Sequence, residues 1–194
     1  MKIFISGGCK NGKSHYAQQL ALAQRQKTRA GLLYYIATMK AADSEDEARI
    51  ARHRRDREGF RFITIEQPVD IDTILDKCDP GHSFLLDSLT ALLANEMFPP
   101  EGAPSGYVNE KAADKIISAL RRVTDNINDI VIVSDYIYSD ALLYDPLTEE
   151  YRKSLALIDR AAAGCCDVVL EAAFSNLIIH RGKEIFGGLY EKIH

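Results

Sequence analysis

The feature that most constrains this chain is a glycine- and lysine-containing motif between a strand pattern and a helix pattern. Residues 7–14 read GGCKNGKS, a full match to G-x-x-x-x-G-K-[ST]. The apolar run KIFIS (2–6) precedes the motif and predicts a buried strand, and the segment from 13 to about 24 predicts a helix. A strand, a glycine-rich loop and a helix in this order form a phosphate-binding loop, or P-loop.

Each position of the P-loop has a role in nucleotide binding. Gly7 and Gly12 allow backbone conformations that turn N–H groups toward phosphate oxygens, and the helix N-terminus adds partial positive charge. Lys13 is predicted to be catalytic because it reaches the β- and γ-phosphates, and the Ser14 hydroxyl can ligate Mg²⁺. The predicted nucleotide-binding residues of the loop are Gly7, Gly8, Cys9, Lys10, Asn11, Gly12, Lys13 and Ser14. The alternative is a glycine-rich turn with a chance lysine, which the flanking strand and helix disfavour.

A second predicted metal ligand is the last residue of another apolar strand. SFLLD (83–87) ends in Asp87, at the usual position of the Walker B acid that orients the metal in P-loop proteins. Asp87 also precedes a predicted helix over 88–97, so the alternative is that it caps this helix. The two roles are compatible, and an acid at the end of a buried strand in a P-loop protein favours a ligand to Mg²⁺.

The rest of the chain alternates short apolar runs with longer periodic segments. Further strands are predicted at 31–38, 62–67, 129–134, 167–173 and 176–180, and further helices at about 43–58, 108–124 and 148–163. Irregular loops are expected over 99–106 and from the fifth strand to about Pro146. The alternation predicts an α/β fold of the P-loop NTPase type (RecA-like), a mainly parallel sheet with helices on both faces. We expect a single domain over residues 1–194.

Composition restricts the possible partners and compartments. A hydrophobic content of 46% and a charged content of 27% are typical of a globular protein, and a net charge of −4 disfavours a general nucleic-acid binder. The four cysteines form no CxxC pair and no zinc-like spacing, so we expect no structural metal and a reducing cytoplasm. Without a signal segment or a run of about 18 apolar residues, no membrane segment is expected.

Several stretches together resemble the bifunctional adenosylcobinamide kinase / adenosylcobinamide-phosphate guanylyltransferase family of cobalamin biosynthesis. That family's P-loop, similar to G-G-x-R-S-G-K-S, is followed by Y-I-A-T, an acidic stretch and R-I-x-x-H-x-x-x-R, and this chain has YYIATMKAADSEDEARIARHRRDR (34–57). ITIEQP (63–68) and LLDSLTALLAN (85–95) also match family patterns. The resemblance is collinear over roughly 1–98, and ordinary nucleoside kinases lack the R-I-x-x-H segment.

The resemblance implies two reactions and their site residues. In the first reaction, ATP or GTP phosphorylates adenosylcobinamide, a corrinoid, with the help of Mg²⁺. In the second, His53 takes a guanylyl group from GTP and passes it to the phosphorylated corrinoid. Arg49, Arg57 and Thr38 are expected to contact the nucleotide, and Glu66 is a candidate contact whose equally good alternative is strand-end packing. The family also implies a homo-oligomer, a trimer.

The surroundings of His53 are compatible with the role that the resemblance implies. On a helix, residues four apart lie on one face, so Arg49, His53 and Arg57 form a single stripe. Neighbouring cations disfavour imidazolium and favour the neutral ring, which can attack phosphorus, and the arginines can stabilise the departing pyrophosphate. The alternative is an exposed face with i,i+4 ion pairs, on which His53 is an incidental surface residue.

The second half of the chain departs from the family pattern. N-E-V-G-x-G after the fifth strand is replaced by SDYIYSD (134–140). F-R-D-x-x-G-x-x-N-Q is replaced by YRKSLALIDR (151–160), with Asp159 and Arg160 at the Asn–Gln positions. The alternatives are therefore an enzyme with one of the two activities, a kinase for another small alcohol, or a non-catalytic nucleotide-binding regulator.

Overall fold

A seven-stranded sheet forms the centre of the computed structural model, which describes residues 1–26, 31–41, 58–98 and 107–191 and the single positions 44, 47, 48, 50, 51 and 55. The strands are β1 (Lys2–Gly7), β2 (Leu33–Ala37), β3 (Ile63–Glu66), β4 (Ser83–Asp87), β5 (Asp129–Asp135), β6 (Val168–Ala173) and β7 (Asn176–Arg181). The helices described in full are α1 (Lys13–Arg25), α2 (Leu89–Met97), α3 (Ala112–Asn126), α4 (Pro146–Cys165) and α5 (Lys183–Tyr190). Two short 3-10 helices span Glu58–Phe60 and Ile71–Asp76.

The strand order is β3-β2-β4-β5-β1-β6-β7, and only the β6–β7 pair is antiparallel within the described sheet. The carboxyl ends of the six parallel strands therefore meet at one edge. At that edge Gly7 of β1 lies opposite Asp135 of β5, and Ala37 of β2 lies opposite Asp87 of β4. The predicted mainly parallel α/β fold is confirmed.

The central strands are buried on both faces of the sheet, because helices cover each face. Ile3 and Ile5 belong to the core on one face, which includes residues of α1 and α5. Phe4, between them, belongs to the core on the other face, which includes residues of α2, α3 and α4. Alternate side chains of β1 thus point to opposite cores, as the period of two in a strand requires.

Most predicted elements agree with the structure to within a few residues, and two differences have clear physical causes. The helix predicted from 148 begins at Pro146, because Asp145 caps it by accepting hydrogen bonds from the N–H groups of Leu147 and Thr148 at 3.0 and 3.1 Å. Helix α5 was not predicted. Two adjacent glycines in its sequence oppose helix formation, and the burial of Phe186 and Leu189 overrides that propensity.

Part of the prediction falls outside the described residues. Positions 44, 47, 48, 50, 51 and 55 of the predicted helix 43–58 are helical, and its predicted end at 58 begins the 3-10 helix Glu58–Phe60. His53, Arg49 and Arg57 lie outside the described residues, as does the predicted loop 99–106, so their roles stay predictions. The single-domain organisation also stays a prediction. In the described part of the chain, no helix has the length and apolar character needed to cross a membrane.

Candidate nucleotide-binding site

The P-loop connects the end of β1 to the start of α1, and its two outer glycines are required for different reasons. Gly12, the N-cap of α1, has a φ of 86°, a left-handed conformation that glycine adopts without a steric penalty. Gly7 is required by packing, because a Cβ atom there would lie 2.4 Å from the carbonyl oxygen of Ala172 in β6. Both motif glycines are therefore dictated by the geometry of the loop.

The side chain of Lys13 is buried and its ammonium group contacts two oxygens. Nζ donates to the carbonyl oxygen of Gly8 at 2.6 Å and lies 2.6 Å from Oδ1 of Asp135. Only 6% of Lys13 is exposed, and a buried ammonium needs such partners because desolvation of its charge is costly. Asp135 is not among the site residues predicted from the sequence. It is an acid at the end of an apolar strand, and this is the same signal that identified Asp87.

Asp87 ends β4 on the α1 side of the sheet. Leu85, two residues earlier in the strand, belongs to the core that includes α1, and alternate residues of a strand share a face. Tyr35 of β2 donates its hydroxyl to Oδ2 of Asp87 at 2.8 Å. The N-cap of α2 is Ser88, whose Oγ accepts from the N–H of Ala91 at 3.3 Å, so the capping role considered for Asp87 belongs to its neighbour.

The predicted metal ligands fit Mg²⁺ by chemistry. The Ser14 hydroxyl and the Asp87 carboxylate are hard oxygen donors, the ligand type that Mg²⁺ prefers. Across the described ranges, no group of three or more His, Cys, Asp or Glu side chains could hold a metal ion. A Mg²⁺ ion at this edge would therefore need phosphate and water oxygens as further ligands, which is its usual mode of binding beside a nucleotide.

Thr38 follows β2 and is fully buried, and its polar groups form hydrogen bonds within the protein. Its hydroxyl donates to the carbonyl oxygen of Ser88 at 2.8 Å and accepts from the Ser88 N–H at 2.7 Å. Its own carbonyl oxygen accepts from Nδ2 of Asn95 at 2.7 Å. Thr38 and Asn95, both matched by the family pattern, thus join the end of β2 to α2. Nucleotide contact by Thr38 stays a prediction.

The remaining predicted contacts lie at the same edge of the sheet with varied exposure. Cys9 and Lys10 are exposed, and Gly8, Asn11 and Ser14 are partly buried. Glu66 is exposed at the end of β3, opposite Ala37 of β2. These positions are accessible to a ligand, and their roles in nucleotide binding stay predictions.

The parallel sheet and the P-loop after its β1 strand define the class, an α/β protein of the P-loop NTPase type. Among solved structures, the KaiC-like protein PH0186 from Pyrococcus horikoshii superposes with a TM-score of 0.50 at 12% identity, covering 93% of this chain and 78% of that one. At this identity the likeness shows the fold alone.

The family model described as cobinamide kinase / cobinamide phosphate guanyltransferase (CobU) matches residues 3–174, and the chain belongs to this family. This confirms the family that the sequence motifs resemble. Three relatives are named bifunctional adenosylcobalamin biosynthesis proteins. CobP of Pseudomonas aeruginosa is 37% identical over 49% of this chain and 52% of its own length. CobU of Escherichia coli is 33% identical over 50% of this chain and 51% of its own length. CobU of Salmonella typhimurium is 26% identical over 87% of this chain and 93% of its own length. The chain thus spans about half the length of the first two relatives.

Proposed function

We propose that this protein phosphorylates adenosylcobinamide with ATP or GTP and then transfers GMP from GTP to the phosphorylated product. The observation that carries the proposal is the family match over 3–174, which includes both the P-loop and the R-I-x-x-H segment. The buried Lys13 at the carboxyl edge of the sheet supports nucleotide binding at this place.

In the kinase reaction, the N–H groups of the P-loop and the Lys13 ammonium bind the β- and γ-phosphates. The acceptor hydroxyl oxygen attacks the γ-phosphorus, a new P–O bond forms, and the bond to the departing nucleoside diphosphate breaks. Asp135 is next to Lys13. When the Lys13 ammonium contacts phosphate instead of Asp135, the Asp135 carboxylate is free to accept the proton of the acceptor hydroxyl. Ser14 and Asp87 would hold Mg²⁺, whose charge offsets the negative charge of the phosphates.

In the guanylyl reaction, a neutral His53 nitrogen attacks the α-phosphorus of GTP. An N–P bond forms and the P–O bond to pyrophosphate breaks, while Arg49 and Arg57 stabilise the negative charge that leaves. A phosphate oxygen of the phosphorylated acceptor then attacks the same phosphorus and the N–P bond breaks. The product is the GDP-linked corrinoid, and His53 is restored.

The cellular setting completes the proposal. The four cysteines are free, which suits a reducing cytoplasm. Assembly as a trimer follows from the family resemblance, and light scattering of the purified protein measures it directly.

The two reactions are tested by separate products. Wild-type protein with ATP, Mg²⁺ and adenosylcobinamide is expected to give the phosphorylated corrinoid, detected by mass spectrometry, and Lys13→Ala is expected to abolish it. Wild-type protein with GTP and Mg²⁺ is expected to gain an acid-labile guanylyl adduct, which His53→Ala lacks.

Each negative result has a defined meaning. A wild-type protein that forms no phosphorylated corrinoid contradicts the kinase proposal, and a panel of other small alcohols in the same assay then tests a different acceptor. Absence of the adduct with normal kinase product contradicts the guanylyl step alone. Nucleotide binding with neither product indicates a regulator.

A further inference from the structure

A cavity of about 310 Å³ lies on the face of the sheet opposite α1. Helix α4, the segment after β5, and the strands β1, β6 and β7 surround it. Its lining combines apolar side chains, among them Phe4, Val169 and Leu170, with polar ones, which are Ser6, Tyr136, Tyr138, Asp159, Arg160, Glu171 and His180. Small-molecule sites span about 300–1,000 Å³, so this volume suits a small ligand or one arm of a larger one.

The cavity and the phosphate site share two strands. Ser6 immediately precedes Gly7, and in the sheet it pairs with Ser134 of β5 and with Glu171 of β6. These three residues form a row across the sheet, one position before the row that holds Gly7 and Asp135. A strand advances about 3.3 Å per residue, so one end of the cavity lies close to the P-loop along the strand direction.

Polar atoms with little solvent contact lie in or beside the cavity. Asp159 is only 4% exposed, and Oδ2 of its carboxyl accepts from the Tyr138 hydroxyl at 2.9 Å, while the Ser134 hydroxyl also interacts with this carboxyl. Burial raises the pKa of Asp159 to about 6. Oγ of Ser6, which lines the cavity, has no hydrogen-bond partner among the described residues. Because buried polar atoms are nearly always paired, we regard the Ser6 hydroxyl as a hydrogen-bonding group for a bound ligand.

The lining carries both hydrogen-bond acceptors and donors. Asp159 and Glu171 carry carboxyl groups, and the hydroxyls of Tyr138 and Tyr136 donate to them at 2.9 and 3.0 Å. Nε2 of His180 lies 2.8 Å from Oε2 of Glu171, and Arg160 adds a guanidinium group to the lining. Hydroxyl and carboxamide groups of a neutral ligand can both donate and accept, so they complement such a mixed lining.

We propose that this cavity is an acceptor subsite, which binds a neutral hydroxyl- or carboxamide-bearing arm of the molecule that is phosphorylated. The proposal rests on the function proposed above and adds the place where the acceptor is recognised. The two segments that depart from the family pattern meet here, with Tyr136 and Tyr138 from the first and Asp159 and Arg160 from the second. Acceptor preference is therefore set by residues in which this chain differs from the family.

The test measures steady-state kinetics of the full chain with adenosylcobinamide as the varied acceptor at saturating ATP and Mg²⁺. Ala156→Leu narrows the cavity from α4 and is expected to raise the KM for adenosylcobinamide about tenfold or more, while Tyr138→Phe removes one polar group and is expected to raise it about three- to tenfold. The KM for ATP is expected to stay within about twofold, because neither substitution alters the P-loop or Lys13.

Tyr144→Phe is the matched control. Its hydroxyl also donates to an aspartate, Asp140, at 3.0 Å, but it does not line the cavity. Equilibrium dialysis of adenosylcobinamide against the same proteins gives a second readout that needs no turnover, and thermal melting verifies folding. If Ala156→Leu fails to fold, the comparison of Tyr138→Phe with the control Tyr144→Phe still tests the subsite.

The outcomes separate this proposal from the one on which it rests. Active wild-type protein with an unchanged KM for adenosylcobinamide in the folded cavity variants overturns the subsite and leaves the kinase function in place. Wild-type protein that neither binds nor phosphorylates adenosylcobinamide overturns the kinase function, and the acceptor subsite with it.

Discussion

Lys13 and Asp135 join the start of α1, directly after the P-loop, to the end of β5. In the protein without nucleotide, Oδ1 of Asp135 lies 2.6 Å from the Lys13 ammonium and compensates its buried positive charge. Phosphate oxygens are an alternative partner for the same ammonium. The pair thus places a carboxylate directly beside the expected position of the γ-phosphate.

Replacement of Asp135 by Asn is expected to lower kcat for phosphoryl transfer about 100-fold, the usual contribution of a general base. The KM for ATP is expected to change much less, because the P-loop and Lys13 remain. Kinetics at saturating adenosylcobinamide check this, with Asp76→Asn, an exposed acid, as the control. An unchanged kcat would show that Asp135 serves only to compensate the charge of Lys13.

Among the elements, β1 and β6 approach each other closely at the P-loop. Gly7 ends β1 beside the backbone of Ala172, and no side chain fits between them. The close approach aligns the row of residues that precedes the loop, including Ser6 and Glu171. The packing of these two strands therefore contributes to the geometry of the phosphate site together with the motif.

Gly7→Ala is expected to destabilise the protein by about 1–3 kcal/mol, since its Cβ atom forces the two strands apart. Gly164→Ala in helix α4, where a Cβ atom meets nothing within 4 Å, is the matched control and is expected to be stabilising by about 0.5–1 kcal/mol. Urea denaturation of both variants measures the free energies of unfolding. Equal effects at the two positions would contradict the packing argument.

At the scale of the whole molecule, the sheet edge that carries the P-loop lies next to a cavity lined by both polar and apolar side chains. The strands β1, β5 and β6 separate the core that includes α1 from the core that includes α4. Asp159 of α4 is buried at that layer and burial raises the pKa of its carboxyl from 3.8 to about 6. The ionised carboxylate of Asp159 therefore lowers the free energy of unfolding of the protein unless a ligand stabilises that charge.

The destabilisation caused by ionised Asp159 is expected to appear in the pH dependence of the free energy of unfolding. The unfolded chain loses the Asp159 proton near pH 4 and the folded chain near pH 6, so stability falls as pH rises between these values and stays lower above them. Asp159→Asn removes the titration and is expected to be more stable than wild type at pH 8 by at most about 3 kcal/mol.

The expected difference declines on acidification and disappears at about pH 4, where the wild-type carboxyl is neutral in both states. Urea denaturation at intervals from pH 8 to pH 4 measures it. Asp125→Asn, on the exposed side of α3, controls for the substitution itself. A difference between Asp159→Asn and wild type that does not vary with pH would contradict the role assigned to burial.

Local spacing in the sequence was sufficient to predict the P-loop, most strands and helices, and the family. Residues 7–14 specify a loop between a strand and a helix because glycine conformations, chain direction and helix start are all local properties. Asp87 was predicted at the edge of the sheet because the carboxyl ends of parallel strands coincide. Helix α5 was missed because the burial of Phe186, not propensity, stabilises it.

Only the tertiary structure decided which distant side chains meet. The contact of Lys13 with Asp135 and the cavity between Ser6 and Asp159 join residues more than a hundred positions apart, through the pairing of β1 with β5 and β6. Such contacts depend on strand order and register, and these are set by the burial of all the strands together rather than by any one segment. The sequence alone determined that this chain has a phosphate-binding loop, and the packing of the sheet determined what surrounds it.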